Sequence, residues 1–152
     1  MKHLSVIFSF RNEEIILNEL IKRVTTVLSK FNNWSYDLIF VNDFSNDNSE
    51  KILMDLQKNY PITIVNLSRR FGITPGILAG YASAKGDAVL YMDTDLQDPP
   101  EVIPDLISKF EEGADVVHTK RTKRLGENSF KMFLTGIAYR LINSAGGRGD
   151  VK

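Results

Sequence analysis

Runs of uninterrupted apolar residues alternate along this chain with longer stretches in which apolar residues return every third or fourth position. Residues 4–10 form the first run. Residues 14–30 then space Ile15, Leu17, Leu20, Ile21, Val24, Val27 and Leu28 as one helix face requires. The pattern predicts a strand followed by a helix, and it repeats. An apolar run over 36–41 leads through Asn42-Asp43-Phe44-Ser45-Asn46-Asp47 into a helix expected over 49–58. The Asn, Asp and Ser side chains of that turn favour reversals and helix caps, so Asp43 and Asp47 each have a capping reading. A third cycle passes from the β-branched stretch 61–67 through Ser68-Arg69-Arg70-Phe71-Gly72 into an Ala/Gly-rich helix ending near Lys85-Gly86.

The fourth strand is expected over 87–92, with Tyr91 and Met92 in the core, and it runs directly into Asp93-Thr94-Asp95-Leu96-Gln97-Asp98-Pro99-Pro100. The proline pair suits the first turn of a helix continuing to Phe110, and Asp98 just before it suits a cap. A fifth strand is expected over 115–119, then the basic run Lys120-Arg121-Thr122-Lys123-Arg124 and an amphipathic segment over 128–143. Repeated strand–helix cycles with apolar strands specify an α/β fold, a mostly parallel sheet with helices on both faces. Such sheets bind ligands beyond the carboxyl ends of their strands.

Composition removes several classes. A chain of 152 residues has the length of one domain. Nineteen basic residues balance nineteen acidic ones, so no global charge draws in nucleic acid, and none is expected as a partner. The absence of cysteine excludes a disulfide scaffold, a cysteine zinc site and a thiol nucleophile. The apolar runs fall short of the ~18 residues that cross a bilayer, and Arg11-Asn12-Glu13-Glu14 interrupts the first one too early for a signal peptide. His3 and His118 read as strand residues, and Trp34 as a packing residue.

The polar residues at the strand ends are Arg11, Asn12 and Glu13, then Asn42 and Asp43, then Arg69 and Arg70, then Asp93, Asp95 and Gln97, then Lys120 and Arg121. Carboxylates gathered at one edge repel one another unless a cation offsets them. Asp93-Thr94-Asp95 suits a hard divalent ion, because Mg²⁺ commonly takes one or two protein carboxylates and leaves its other positions to water and phosphate. Gln97 offers a further oxygen. Neither G-x-x-x-x-G-K-[ST] nor a G-x-G-x-x-G after the first strand occurs, which disfavours P-loop and dinucleotide folds. A nucleotidyltransferase is disfavoured too, since the first loop carries no glycine-rich basic segment.

These motifs resemble the family 2 glycosyltransferases of GT-A fold, and among them the enzymes that move a sugar from a nucleotide onto a polyprenyl or dolichyl phosphate. Phe8-Ser9-Phe10-Arg11-Asn12-Glu13-Glu14 is similar to that family's P-x-Y-N-E-E, and Val41-Asn42-Asp43-Phe44-Ser45-Asn46-Asp47 to its [VI]-[DN]-D-G-S-x-D. Leu67-Ser68-Arg69-Arg70-Phe71-Gly72 resembles L-S-R-N-F-G. Met92-Asp93-Thr94-Asp95-Leu96-Gln97-Asp98-Pro99-Pro100-Glu101 resembles M-D-x-D-L-Q-D-P-P-E most specifically. Lys120-Arg121-Thr122-Lys123-Arg124 is close to K-R-x-x-R, and Gly149-Asp150 to the start of G-D-F-R. Ser9 replaces the usual proline, Arg11 the usual tyrosine and Phe44 the usual glycine. If the position of Phe44 needs a positive φ, the side chain is strained there or the turn has shifted.

The resemblance implies a metal-dependent, inverting transfer from a UDP- or GDP-sugar to a polyprenyl phosphate, in cell-wall or surface-polysaccharide synthesis. It implies that Ser9, Arg11, Glu13, Val41 and Asp43 hold the nucleoside, that Asp93 and Thr94 lie along ribose and diphosphate, and that Asp95 and Gln97 ligate Mg²⁺ or Mn²⁺. Asp95, Arg121 and Asp150 are the catalytic candidates, Arg121 toward phosphate and Asp150 as the weaker. A prenyl phosphate, with a second pKa near ~6, needs positioning more than deprotonation, a role for Lys120, Arg121, Lys123, Arg124 and Lys131. A saccharide hydroxyl as acceptor, which would need a carboxylate base such as Asp150 or Asp98, and a module that only binds nucleotide sugar are the alternatives. Residues 1–152 read as a GT-A catalytic domain cut at its C-terminus, a soluble piece of a protein held at the cytoplasmic face of the plasma membrane by its missing part, with a homo-oligomer as a further expectation.

Overall fold

The computed structural model describes residues 1–120, in which four strands alternate with four helices. In chain order they are β1 (Lys2–Phe10), α1 (Leu17–Leu28), β2 (Trp34–Asn42), α2 (Ser49–Leu56), β3 (Ile62–Asn66), α3 (Ile73–Ser83), β4 (Ala88–Tyr91) and α4 (Ile103–Glu111). A 3₁₀ turn over Pro100–Val102 precedes α4. The strands pair in parallel in the order β3-β2-β1-β4. β1 and β2 are the inner strands, which explains their uninterrupted apolar character: Val6, Ile7, Phe8 and the whole of Leu38, Ile39, Phe40 and Val41 are fully buried.

Alternation sorts each strand between two layers. Leu4, Val6, Phe8 and Phe10 join Leu38 and Phe40 against α1, Leu53 of α2, and Ile103 and Ile107 of α4. Phe8 stacks on Phe40 with ring centroids 4.7 Å apart. Burying each such ring contributes about 1.5–3 kcal/mol. Ile7, Ile39 and Val41 face the other way and meet α3 through Ala79. Helices therefore cover both faces, as the pattern of the sequence requires. The approach of α3 to β1 depends on small residues: a Cβ on Gly76 would stand 2.3 Å from Ser9 Oγ. Ser9 is thereby fixed at the end of its strand.

Met1–Val117 form one compact unit, and His118–Lys120 are the described part of a second, His118–Lys152. The fifth strand expected over 115–119 does not form. None of the described strands pairs with this segment, and Val116 is 70% exposed; an apolar run becomes a strand only where another backbone completes its hydrogen bonds. α1 begins later than its periodicity suggests, because the carbonyl of Glu13 accepts the N–H groups of Ile16 and Leu17 in a separate turn. Pro99, and not Asp98, is the residue at the boundary of the 3₁₀ turn. His3 is a strand residue as expected, His118 falls in the segment that forms no strand, and Trp34, read as a packing residue, is buried at the start of β2 with Nε1 donating to Glu111 Oε1 at 2.8 Å. Among the described residues no helix is long and apolar enough to cross a membrane. The segment 128–143 lies outside the described residues.

Candidate active site

The chain leaves β1 toward β2 and β3 on one side and returns to β4 on the other, so the topological switch point falls between β1 and β4. A cleft of about 320 Å³ opens there, at the carboxyl ends of the strands. Ser9, Phe10, Arg11 and Glu13 line it from the end of β1, Asp43 from the loop after β2, Ile73 from the start of α3, and Tyr91, Asp93, Thr94 and Asp95 from the end of β4.

Hydrogen bonds between loops build this edge. Asn12 N–H donates to Ser45 Oγ at 3.0 Å, and Asn46 N–H donates back to Asn12 Oδ1 at 2.9 Å. Glu13 N–H donates to Ser49 Oγ at 2.8 Å and Glu14 N–H to Asp47 Oδ2 at 3.2 Å. Asp47 Oδ1 also accepts from Ser49 N–H at 3.0 Å, so the capping reading holds for Asp47. It fails for Asp43. That buried carboxylate instead accepts Phe71 N–H on Oδ1 at 2.6 Å and Gly72 N–H on Oδ2 at 2.9 Å, tying the β3–α3 loop to the end of β2. Two donors on successive residues suit a carboxylate's two oxygens, and Gly72 supplies the φ of +91° that aims its N–H there.

Among the described residues three non-glycine residues have a left-handed backbone, and each stands in a different loop of this edge: Asn12 (φ 58°), Phe44 (φ 61°) and Leu96 (φ 56°). Phe44, which stands where the family motif has glycine, adopts this left-handed backbone, and a non-glycine residue there bears the strain.

Glu13, Asp43, Asp93 and Asp95 place four carboxylates in the cleft against the single guanidinium of Arg11. Burial, followed by repulsion from Asp95 and Asp47, raises the pKa of Glu13 above its ordinary value. The Tyr91 hydroxyl donates to Asp93 Oδ1 at 2.5 Å. Burial, that hydrogen bond and the charges of Asp93 and Asp95 raise the pKa of Tyr91. Asp95 Oδ1 accepts Gln97 N–H at 3.0 Å, an Asx turn that fixes the carboxylate at the loop.

Seven of the sequence-predicted residues therefore meet in one cleft: Ser9, Arg11, Glu13, Asp43, Asp93, Thr94 and Asp95. Val41 does not line it. Its side chain is fully buried with Ile7 and Ile39, which makes it a support beneath Asp43. Gln97 is exposed beside Asp95 and outside the lining, and Arg69 and Arg70 are exposed after β3 without reaching the cleft. Arg121, Asp150, Lys123, Arg124 and Lys131 lie outside the described residues. Phe10, Ile73 and Tyr91 are lining residues that the sequence reading missed. For Tyr91, expected in the core, the two-residue strand period already puts it on the same side as Asp93.

An excess of carboxylates facing one another fits a cation, and the donor set is hard oxygen. Among the described residues no three His, Cys, Asp or Glu side chains converge as a complete protein cage. A hard divalent ion such as Mg²⁺ commonly takes one or two carboxylates and completes its shell with water or phosphate oxygens.

Residues 5–148 match the family model described as "Glycosyl transferase family 2". The chain belongs to that family. It is 40% identical over 140 residues to "Uncharacterized glycosyltransferase YkcC" of Bacillus subtilis (strain 168), covering 91% of this chain and 43% of that protein. The chain thus spans less than half the length of this relative. Among solved structures, S. aureus TarS 1-349 in complex with UDP-GlcNAc shares the fold with a TM-score of 0.60 at 19% identity, over 80% of this chain and 38% of that one. Mannosyltransferase PcManGT from Pyrobaculum calidifontis, in complex with GDP-Man and Mn²⁺, does so with a TM-score of 0.63 at 17% identity, over 78% of this chain and 35% of its own. These two likenesses fix the GT-A fold of the chain.

Proposed function

We propose that this family 2 chain binds a nucleotide-diphosphate sugar in the β1–β4 cleft, with a divalent cation, and that the protein transfers the sugar with inversion to a polyprenyl phosphate. The observation that carries the donor half is the meeting of Asp43, Asp93 and Asp95 with Ser9, Arg11 and Glu13 at the topological switch point. Nucleotide sugars bound to TarS and to PcManGT support it by analogy of fold.

In this reading Ser9, Arg11, Glu13 and Asp43 hold the nucleoside, with Val41 beneath them. Asp43 has a lone pair left on each oxygen after its two backbone bonds, so it accepts from the base while it holds the β3–α3 loop. Asp93 and Thr94 run along the ribose and diphosphate. Asp95 and Gln97 hold Mg²⁺ or Mn²⁺, which supplies Lewis-acid stabilisation to the departing diphosphate. Arg11 is the base wall in place of the family's tyrosine, and its planar guanidinium stacks on a ring as an aromatic does.

The acceptor half rests on charge. A prenyl phosphate is mostly dianionic at neutral pH, its second pKa lying near ~6, so orientation and charge compensation count for more than a base. Lys120, which is exposed, with Arg121, Lys123, Arg124 and Lys131 supplies that positive charge. Asp150 takes a base role only toward a hydroxyl acceptor. The whole protein then works at the cytoplasmic face of the plasma membrane, where such lipids are loaded.

The test is transfer from radiolabelled UDP- and GDP-sugars, with Mn²⁺, to polyprenyl phosphate in detergent and, in parallel, to oligosaccharides. The reading expects label in the lipid fraction, abolished by Asp95→Ala. It expects at least a ~10-fold loss in Arg121→Ala, since a charge-assisted phosphate contact is worth ~1.5–3 kcal/mol. Label on the oligosaccharide alone would overturn the lipid acceptor.

A further inference from the structure

Tyr91 ends β4 with its ring anchored and its hydroxyl at the cleft. The ring packs with Ile7, Ile39 and Val41 on the face covered by α3. Ring atoms held in that layer leave the hydroxyl few places to go, and it stands 2.5 Å from Asp93 Oδ1. The donor here is a neutral phenol and the acceptor a carboxylate two residues on, past Met92, which is buried on the opposite side of the strand. Asp93 itself is exposed, on a loop whose next residue but two, Leu96, has a left-handed backbone. An exposed carboxylate on a turn rotates freely unless something holds it. Tyr91 is what holds it.

We propose that Tyr91 is a positioning residue for the donor: its hydroxyl fixes one oxygen of Asp93 so that the other faces the ribose of a bound nucleoside diphosphate. This rests on the donor reading given above. Pinning Oδ1 sets the plane of the carboxylate before the ligand arrives, and the second oxygen needs no reorientation to accept from a ribose hydroxyl. The raised pKa of Tyr91 agrees, because the phenol keeps the proton that the bond requires. Phenylalanine at this position would fill the same space and lose only the hydroxyl.

The experiment uses Tyr91→Phe in the full chain and calorimetric binding of UDP and GDP with Mn²⁺, each compared with its 2′,3′-dideoxy analogue. Wild-type protein should bind the ribose form at least tenfold more tightly than the dideoxy form. Tyr91→Phe should bind the ribose form about tenfold more weakly than wild type, the size of one lost charge-assisted hydrogen bond, and the dideoxy form equally well. In an Asp93→Ala background, Tyr91→Phe should change neither affinity. Equal weakening toward ribose and dideoxy forms would show a structural role for the ring and overturn the inference, as would unchanged ribose affinity. Nucleotide binding by wild type with no effect of Tyr91→Phe leaves the donor reading standing and this inference refuted. No binding of UDP or GDP by wild type would overturn both.

Discussion

Replacing Asp43 by alanine removes the acceptor of two backbone N–H groups at once. The side chain is buried, at 6% exposure, and its oxygens lie 2.6 Å from Phe71 N and 2.9 Å from Gly72 N. A hydrogen bond to a charged group contributes about 1.5–3 kcal/mol. Phe71 is exposed and Gly72 half-buried, so water replaces part of each bond and the lower figure applies. Two such bonds give a loss of about 3 kcal/mol, a large share of the ~5–15 kcal/mol that separates a folded domain from its unfolded chain. Urea unfolding should show a lowered midpoint with unchanged slope. Amide exchange at Phe71 and Gly72 should accelerate more than at core amides such as Ile7, because only the first pair loses its acceptor directly. A midpoint within the equivalent of 0.5 kcal/mol of wild type, judged against the ~1.5 kcal/mol floor for a single such bond, would refute the tie between Asp43 and the β3–α3 loop.

Three further outcomes follow from the same edge. Phe44→Gly should leave stability within about 1 kcal/mol of wild type, since relief of the left-handed backbone, roughly 1–2 kcal/mol, is offset by the lost burial of a side chain that is 55% exposed and by the greater freedom of glycine in the unfolded chain; urea unfolding measures it, and a loss above ~2 kcal/mol would contradict the strain. Gly76→Ala should cost about 1–2 kcal/mol through its clash with Ser9 Oγ, and Ser9→Ala in the same chain should recover most of that, leaving Ser9 Cβ at 3.2 Å as the nearest atom. Glu13 has its pKa raised by burial and by Asp95 and Asp47, so the folded metal-free protein holds that proton more tightly than the unfolded chain does. Stability therefore falls as pH rises from the ordinary value of 4.5 through the raised one, and the deficit persists above it. Glu13→Gln in EDTA should raise the melting temperature at pH 7 and less at pH 4; equal gains at both would contradict the assignment.

The sheet was legible because β1 and β2 are buried on both faces and so leave an unbroken apolar signature at Val6-Ile7-Phe8 and Leu38-Ile39-Phe40-Val41. β4, the last strand of the described sheet, is shorter than its apolar run, and 115–119 has the composition of a strand without a described ladder partner. Pairing is a tertiary fact that composition does not carry. Strand ends announced the cleft, since a turn-forming polar cluster after each apolar run must sit at one edge of a parallel sheet. What local pattern hid were the long-range roles. Asp43 resembles a cap from its neighbours, and only the fold brings Phe71 and Gly72, 28 and 29 residues away, onto its oxygens. Val41 belongs to the family motif yet turns into the core, because alternation gives adjacent residues opposite faces. The Arg69-Arg70 pair follows β3, an outer strand separated from β4 by β2 and β1, which is why shared placement at strand ends did not bring it into the cleft.

The central claim is that the carboxylates of the β1–β4 cleft hold a nucleoside diphosphate together with a divalent cation. Titration calorimetry of UDP and GDP into the chain, with Mn²⁺ and then with EDTA, tests it in wild type and in Asp95→Ala. The account predicts binding of one of the two nucleotides only in the presence of the metal, with loss in Asp95→Ala to the level seen in EDTA. Equal affinity with and without metal, or full metal-dependent affinity in Asp95→Ala, would contradict it.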